Sequence, residues 1–144
     1  MITLLQRVSE ARVEVDSKTI GRIDEGLLVL VGVQADDDET TAEQFVERLL
    51  NYRVFTDADG KMNLSLVDIG GGLLLVPQFT LAANTKKGRR PSFTSAASPQ
   101  HGRAIFNAMV ASAGARYSPV ECGEFGADMQ VQLINNGPVT FILD

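Results

Sequence analysis

Leu27-Leu28-Val29-Leu30-Val31-Gly32-Val33 is the stretch that decides the fold. Seven residues without a polar side chain read as a central strand covered on both faces. Upstream, residues 2–15 alternate over their second half. Ala11, Val13 and Val15 take one face and Arg12, Glu14 and Asp16 the other, which predicts a half-buried strand. Downstream, Asp36-Asp37-Asp38-Glu39 opens a helix, with carboxylates where the helix dipole favours negative charge. Ala42, Phe45, Val46, Leu49 and Leu50 follow at helical spacing and form one apolar stripe.

Further along, Thr56–Lys61 reads as a turn, and Leu64–Val67 and Leu73–Leu81 as strands. Ser98-Pro99 starts a second helix, a serine cap followed by proline in the first turn. Ile105, Phe106, Met109, Val110 and Ala113 supply its buried face, and Gly114 lies near its end. Strands around Val120 and from Met129 to Leu143 finish the chain. This order predicts an α/β (α+β) fold: curved mixed β-sheets forming a barrel-like core, with two main helices outside. No repeat or linker interrupts it, so residues 1–144 read as one domain.

At 144 residues and 44% hydrophobic, the chain can bury a core of ordinary size. Its apolar runs are far shorter than the roughly 20 residues that span a bilayer. The alternating start, Met1-Ile2-Thr3-Leu4-Leu5-Gln6-Arg7, does not read as a signal peptide, and a single cysteine, Cys122, leaves no internal disulfide. A cytoplasmic protein with no membrane partner is the expectation. A net charge of −5 argues against coating DNA or any nucleic acid non-specifically. One basic island stands out, however: Lys86, Lys87, Arg89 and Arg90 within five residues, with Arg103 further on. Such a run is either a solvated loop or a narrow phosphate contact.

Several catalytic sets fall away. The one histidine, His101, has no cysteine or carboxylate beside it in sequence, so a Ser-His-Asp or Cys-His site would need long-range convergence. Cys122 reads as a small core residue. No His/Cys spacing supports zinc, and Asp57-x-Asp59-Gly60 lacks the remaining ligands of a calcium loop, so no metal or cofactor is expected. Gly70-Gly71-Gly72 precedes a strand and not a helix, unlike a dinucleotide fingerprint.

Two segments remain. In Asn135-Asn136-Gly137-Pro138-Val139-Thr140, a Gly-Pro lies between strand-like runs. Pro138 donates no N–H and Gly137 packs no side chain, which a sheet tolerates at an edge, a bulge or a close approach. Val76-Pro77-Gln78-Phe79-Thr80-Leu81 leads toward the basic island. With Leu5-Gln6-Arg7-Val8, the Phe55–Asn63 turn, Arg90-Pro91-Ser92-Phe93 and Phe125-x-Ala127-Asp128-Met129-x-Val131, these segments resemble, in order, the D-aminoacyl-tRNA deacylase family. The resemblance covers nearly the whole chain.

The resemblance implies a homodimer that hydrolyses the ester of D-aminoacyl-tRNA, with glycyl-tRNA not fully excluded. It implies catalytic roles for Gln78, Phe79 and Thr80. It makes Gly137-Pro138 a cis peptide that reaches into the partner subunit's pocket and rejects L-residues. Arg7, Phe125, Met129, Lys86, Lys87, Arg89 and Arg90 become contacts to substrate or tRNA. The family's usual serine before the Gln-Phe-Thr-Leu segment is Pro77 here, so no role passes to a hydroxyl at that position. An aminoacyl ester is already activated, so backbone N–H groups near Phe79 and Thr80 plus the RNA's 2′-hydroxyl suffice as a mechanism. A Thr80 nucleophile is the alternative, although no base adjoins it in sequence. Two other readings are a non-catalytic RNA-binding module on the same fold, and a small-metabolite hydrolase or isomerase using Asp128 or His101 as base.

Overall fold

The computed structural model describes residues 1–144. Its spine is β1 (Ile2–Val15), which turns through Asp16 and Ser17, both at positive φ, into β2 (Lys18–Ile23). The strand that decided the fold, β3 (Gly26–Gly32), runs antiparallel to β1, with Thr3 opposite Val31 and Arg7 opposite Leu27. Next comes α1 (Glu39–Asn51), then the short pair β4 (Phe55–Thr56) and β5 (Met62–Leu64). A one-turn helix, α2 (Leu66–Ile69), precedes β6 (Gly72–Pro77), which is parallel to β3. The chain ends with α3 (Pro99–Arg116), β7 (Val120–Cys122) and β8 (Gln130–Leu143). β7 pairs parallel to β6, and β8 pairs antiparallel along nearly all of β1.

β3 and β6 are buried on both faces, as their sequences require. Leu27, Val29, Val31, Leu73 and Leu75 join the larger apolar cluster, which Ala42, Val46, Leu49, Ile105, Phe106 and Met109 of the two long helices cover. Leu28, Leu74 and Val76 point the other way, into a smaller cluster with Val8, Ala11, Val13 and Ile23. The sheet curls around this second cluster. β2 nearly closes the barrel against β6 and β7 through glycine contacts: a Cβ on Gly21 would lie 2.9 Å from the Cys122 carbonyl, and one on Gly72 2.7 Å from Ile23. The architecture is mixed α+β with a nearly closed barrel-like sheet.

Three expectations need correction. The strand expected over Leu64–Val67 stops at Leu64, because Ser65 and Asp68 cap a helix instead. The Ser65 hydroxyl accepts the Asp68 N–H at 3.2 Å, and the Asp68 carboxylate accepts the Ser65 N–H at 2.8 Å. The strand expected over Leu73–Leu81 ends at Pro77, and Phe79–Ala82 forms a 3-10 turn. Amides on this side of β6 serve β7: Leu73 N–H reaches the Pro119 carbonyl, while the Leu75 carbonyl accepts from Gly123. By alternation Pro77 faces the same side, where β7 has already stopped at Cys122, so its missing N–H costs no ladder bond.

Third, the acidic run does not all enter α1. Asp38 is its N-cap, while Asp37 is buried and binds the Met1 ammonium at 2.5 Å. The strand expected from Met129 to Leu143 is present as β8, which passes straight through residues 135–140 with a bulge. No helix is long and apolar enough to cross a membrane.

Candidate active site

Pro77 delivers the chain into the Gln78–Ala82 turn. Gln78 N–H bonds the Val31 carbonyl at 2.7 Å, anchoring the turn to the end of β3. The first N–H groups of a 3-10 turn, those of Phe79 and Thr80, have no acceptor inside it, and the Gln78 side chain does not cap them. That side chain instead donates to the Thr80 hydroxyl, in a short contact. No histidine, lysine or carboxylate bonds Thr80.

Beside the turn lies a largely apolar cleft of about 220 Å³, lined by Val31, Val33, Pro77, Phe79, Phe106 and Phe125 among others. Its far wall is set by α3. Gly102 leaves room for the Phe125 ring, since a Cβ there would sit 3.2 Å from it. Arg103 lies over the same ring at 5.2 Å and donates to the Phe125 carbonyl at 3.2 Å. His101, the one imidazole, bonds the Asp37 carbonyl at 2.7 Å and so ties α3 to the start of α1, which leaves it poorly placed as a base.

The second constellation lies on β8. Gln6 pairs with Thr140 and Val8 with Asn135, so Asn136–Val139 bulge out opposite the single residue Arg7. Gly137–Pro138 is cis, with Gly137 at φ 134°. Side chains brace the bulge. The Asn135 oxygen accepts the Val139 N–H at 2.9 Å, and its amide donates to the Thr140 hydroxyl at 2.8 Å. Arg7 donates to the Asn136 carbonyl at 3.0 Å and the Val54 carbonyl at 2.8 Å.

Against this geometry, the family model described as D-Tyr-tRNA(Tyr) deacylase matches residues 4–144. The chain belongs to that deacylase family. A protein of Stutzerimonas stutzeri (strain A1501) named D-aminoacyl-tRNA deacylase is 60% identical over 141 residues, covering 98% of this chain and 97% of its own. One of the same name from Alkalilimnicola ehrlichii is 61% identical over 144 residues, covering 100% and 96%. Among solved structures, "c-Myc DNA Unwinding Element Binding Protein" superposes with a TM-score of 0.95 at 36% identity, covering 100% of this chain and 98% of that one. A probable eukaryotic D-amino acid tRNA deacylase superposes at 0.80 with 19% identity over 99% and 97%, a likeness of fold.

Set on this deacylase-family fold, the residues expected at the site divide into groups. Phe79 and Phe125 line the cleft, and Gln78 and Thr80 flank Phe79 in the turn beside it. Met129 lies outside the cleft lining and packs where a Cβ on Gly123 would be 2.9 Å from its sulfur. Arg7 is committed to protein acceptors and acts as a brace for the bulge. Lys86, Lys87, Arg89 and Arg90 lie exposed on a loop, and none of them pairs with a carboxylate. Gly137 and Pro138 do not meet the cleft of their own chain. Arg7 is four residues from Thr3 along β1, so the bulge is about 13 Å along the strand from the level of Val31 and Pro77.

Sequence reading did not give Gly102 or Arg103 a role at the cleft. Their contact with Phe125 spans about two dozen residues of sequence, and only the charge of Arg103 marked it.

Proposed function

We propose that this chain hydrolyses the ester joining a D-amino acid to the terminal ribose of tRNA, releasing free tRNA and the D-amino acid. The observation that carries the reading is the pair of N–H groups, Phe79 and Thr80, left without an acceptor in their turn at the mouth of an apolar cleft. Two such donors suit the oxygen of a tetrahedral intermediate, where preorganised dipoles stabilise charge as it develops. Water attacks the ester carbonyl, the ribose oxygen leaves with a proton, and the neighbouring 2′-hydroxyl of the RNA assists that transfer. Thr80, bonded by Gln78 and with no base at hand, helps hold the turn and is not the nucleophile.

Chiral selection falls to backbone. The bulge at Gly137-Pro138 walls the α-carbon of the substrate, so an L-side chain collides with it and a D-side chain points away. Because the bulge is remote from its own cleft, the wall comes from a second copy of the chain, and the working unit is a homodimer. Glycyl-tRNA, which has no side chain to clash, is also cleaved. The substrate places the enzyme in the cytoplasm, with translation.

The test is hydrolysis of D-, L- and glycyl-tRNA by the purified protein. D- and glycyl-esters should be cleaved and L-esters spared. Equal cleavage of D and L would refute the backbone wall, and no cleavage of any would refute the activity.

A further inference from the structure

Two large aromatic side chains stand in the open at the cleft mouth. Phe79 is 56% exposed and Phe93 42%, and their rings lie 5.3 Å apart, tilted by 46°. Phe79 lines the cleft while Phe93 lies outside it, so Phe79 is shared by two spaces. An aromatic ring gains more than almost any other side chain from leaving water, so two adjacent exposed rings mark a surface built to be covered.

The chain fixes where Phe93 stands relative to the basic loop. Asn84 and Ser92 exchange both backbone bonds, at 2.7 and 3.0 Å, and close the loop at its base. Within it, the Asn84 side chain accepts the Lys86 N–H at 3.0 Å, and Gly88 takes a left-handed φ of 71°. On the other side of Phe93, the Ser95 hydroxyl donates to the Ala82 carbonyl at 2.6 Å, tying the segment back to the 3-10 turn. Four cations without acidic partners thus sit on a closed loop whose last residue, Ser92, directly precedes Phe93. Cations that track a phosphate backbone beside rings that take base faces are the device used for single strands. A duplex keeps its bases stacked inside and offers them no face.

We infer that Phe93 is a base-stacking residue for single-stranded RNA, taking the nucleotide that precedes the terminal one while the Lys86–Arg90 loop holds the adjoining phosphates. This deepens the proposed function and rests on it: the terminal nucleoside enters the cleft on one side of Phe79, and its neighbour stacks on the other side, against Phe93. Stacking is tolerant of base identity, so the contact secures the 3′ end of any tRNA without selecting among them.

The test compares two substrates, D-aminoacyl-tRNA and the D-aminoacyl ester of adenosine, which lacks every upstream nucleotide. Phe93→Ala should raise KM for the tRNA by roughly 5- to 160-fold, the range base–aromatic stacking spans. The adenosine ester should not register the change. Phe93→Tyr should restore tRNA binding and Phe93→Leu should not. Equal losses on both substrates would mean that Phe93 merely props Phe79, and no loss on either would leave it idle; both overturn the inference.

A second measurement does not depend on hydrolysis. Fluorescence anisotropy with an RNA octamer ending in CCA should show weaker binding when its penultimate nucleotide is abasic, and Phe93→Ala should abolish that difference. If no aminoacyl ester is cleaved but this difference holds, the catalytic reading fails and the stacking site stands. If the abasic octamer binds as well as the intact one, the stacking site fails.

Discussion

Replacing Gly137 by alanine tests the bulge directly. A Cβ there would lie 2.7 Å from Val139 Cγ2 and 3.0 Å from Arg7 Nη2, at a φ of 134°. Neither neighbour yields easily: Val139 is only 7% exposed, and Arg7 is bonded to two carbonyls. The backbone conformation costs about 1–3 kcal/mol for a residue with a side chain. Overpacking adds about 1–3 kcal/mol. The total, about 2–6 kcal/mol, is below the roughly 10 kcal/mol at the middle of the range for such a domain, so the variant stays folded at 25 °C. At about 3–4 °C per kcal/mol for a chain of this size, Tm should fall by roughly 6–24 °C. Relief of the clash pushes the bulge outward by on the order of 1 Å, a displacement able to cost about a hundredfold in rate.

The assay is kcat/KM on D-aminoacyl-tRNA and its L-counterpart, alongside thermal unfolding. Gly60→Ala is the control. Gly60 also has positive φ, 77°, but nothing lies within 4 Å of its missing Cβ, so Tm should fall modestly with activity unchanged. If Gly137→Ala shows the expected fall in Tm yet cleaves D-esters within twofold of wild type and still spares L-esters, the bulge is not the selective wall.

Thr80→Ala should slow D-ester hydrolysis modestly, whereas tRNA ending in 2′-deoxyadenosine and charged on its 3′-hydroxyl should be a poor substrate; near-total loss with alanine and no dependence on the 2′-hydroxyl would reinstate a threonine nucleophile. Alanine at Lys86, Lys87, Arg89 and Arg90 together should flatten the slope of log K against log salt by up to about 3, at roughly 0.7 per single-strand phosphate released; an unchanged slope would make the loop mere surface. Gly102→Ala should displace the Phe125 ring and raise KM several-fold with little change in kcat, and an unaltered KM would remove Phe125 from the binding site. Backbone N–H donors at Thr41, Lys61 and Ser65 hold the carboxyls of Asp38, Asp57 and Asp68 below their ordinary value of 3.8. The unfolded chain therefore protonates first, and the stability these groups contribute at neutral pH is lost as pH falls below about 3.8. Unfolding followed from pH 6 to 2 should show a shallower acid loss in the triple asparagine variant.

The sequence announced its strands where burial dictates composition. Leu27–Val33 and the first half of Leu73–Leu81 must be apolar on both faces, and that reads through. It hid elements set by single local bonds: the Ser65–Asp68 cap that turns an apolar run into helix, and the end of β6 at Pro77, beyond the reach of β7. β2 escaped notice because Lys18, Thr19, Ile20 and Arg22 are exposed and only Gly21 and Ile23 face inward. The candidate site was legible in pieces, since Gln78–Thr80 and Gly137–Pro138 carry unusual residue choices. Their 13 Å separation is a matter of register along β1, which no motif records.

If the wall comes from a second copy, as proposed, neither half is an enzyme by itself. On the proposed pairing, each site borrows its wall from the other copy, so activity depends on mass action as well as on chemistry. Diluted below the dissociation constant, the protein should lose specific activity while each chain stays folded. Two crippled proteins should also rescue one another: one altered at Gly137, the other disabled at the Gln78–Thr80 turn. In a mixed dimer both faults fall in the same site, and the other site is whole. Random mixing makes half the dimers mixed and restores about a quarter of all sites. A cell carrying both defective alleles would keep its proofreading, although neither allele could supply it alone.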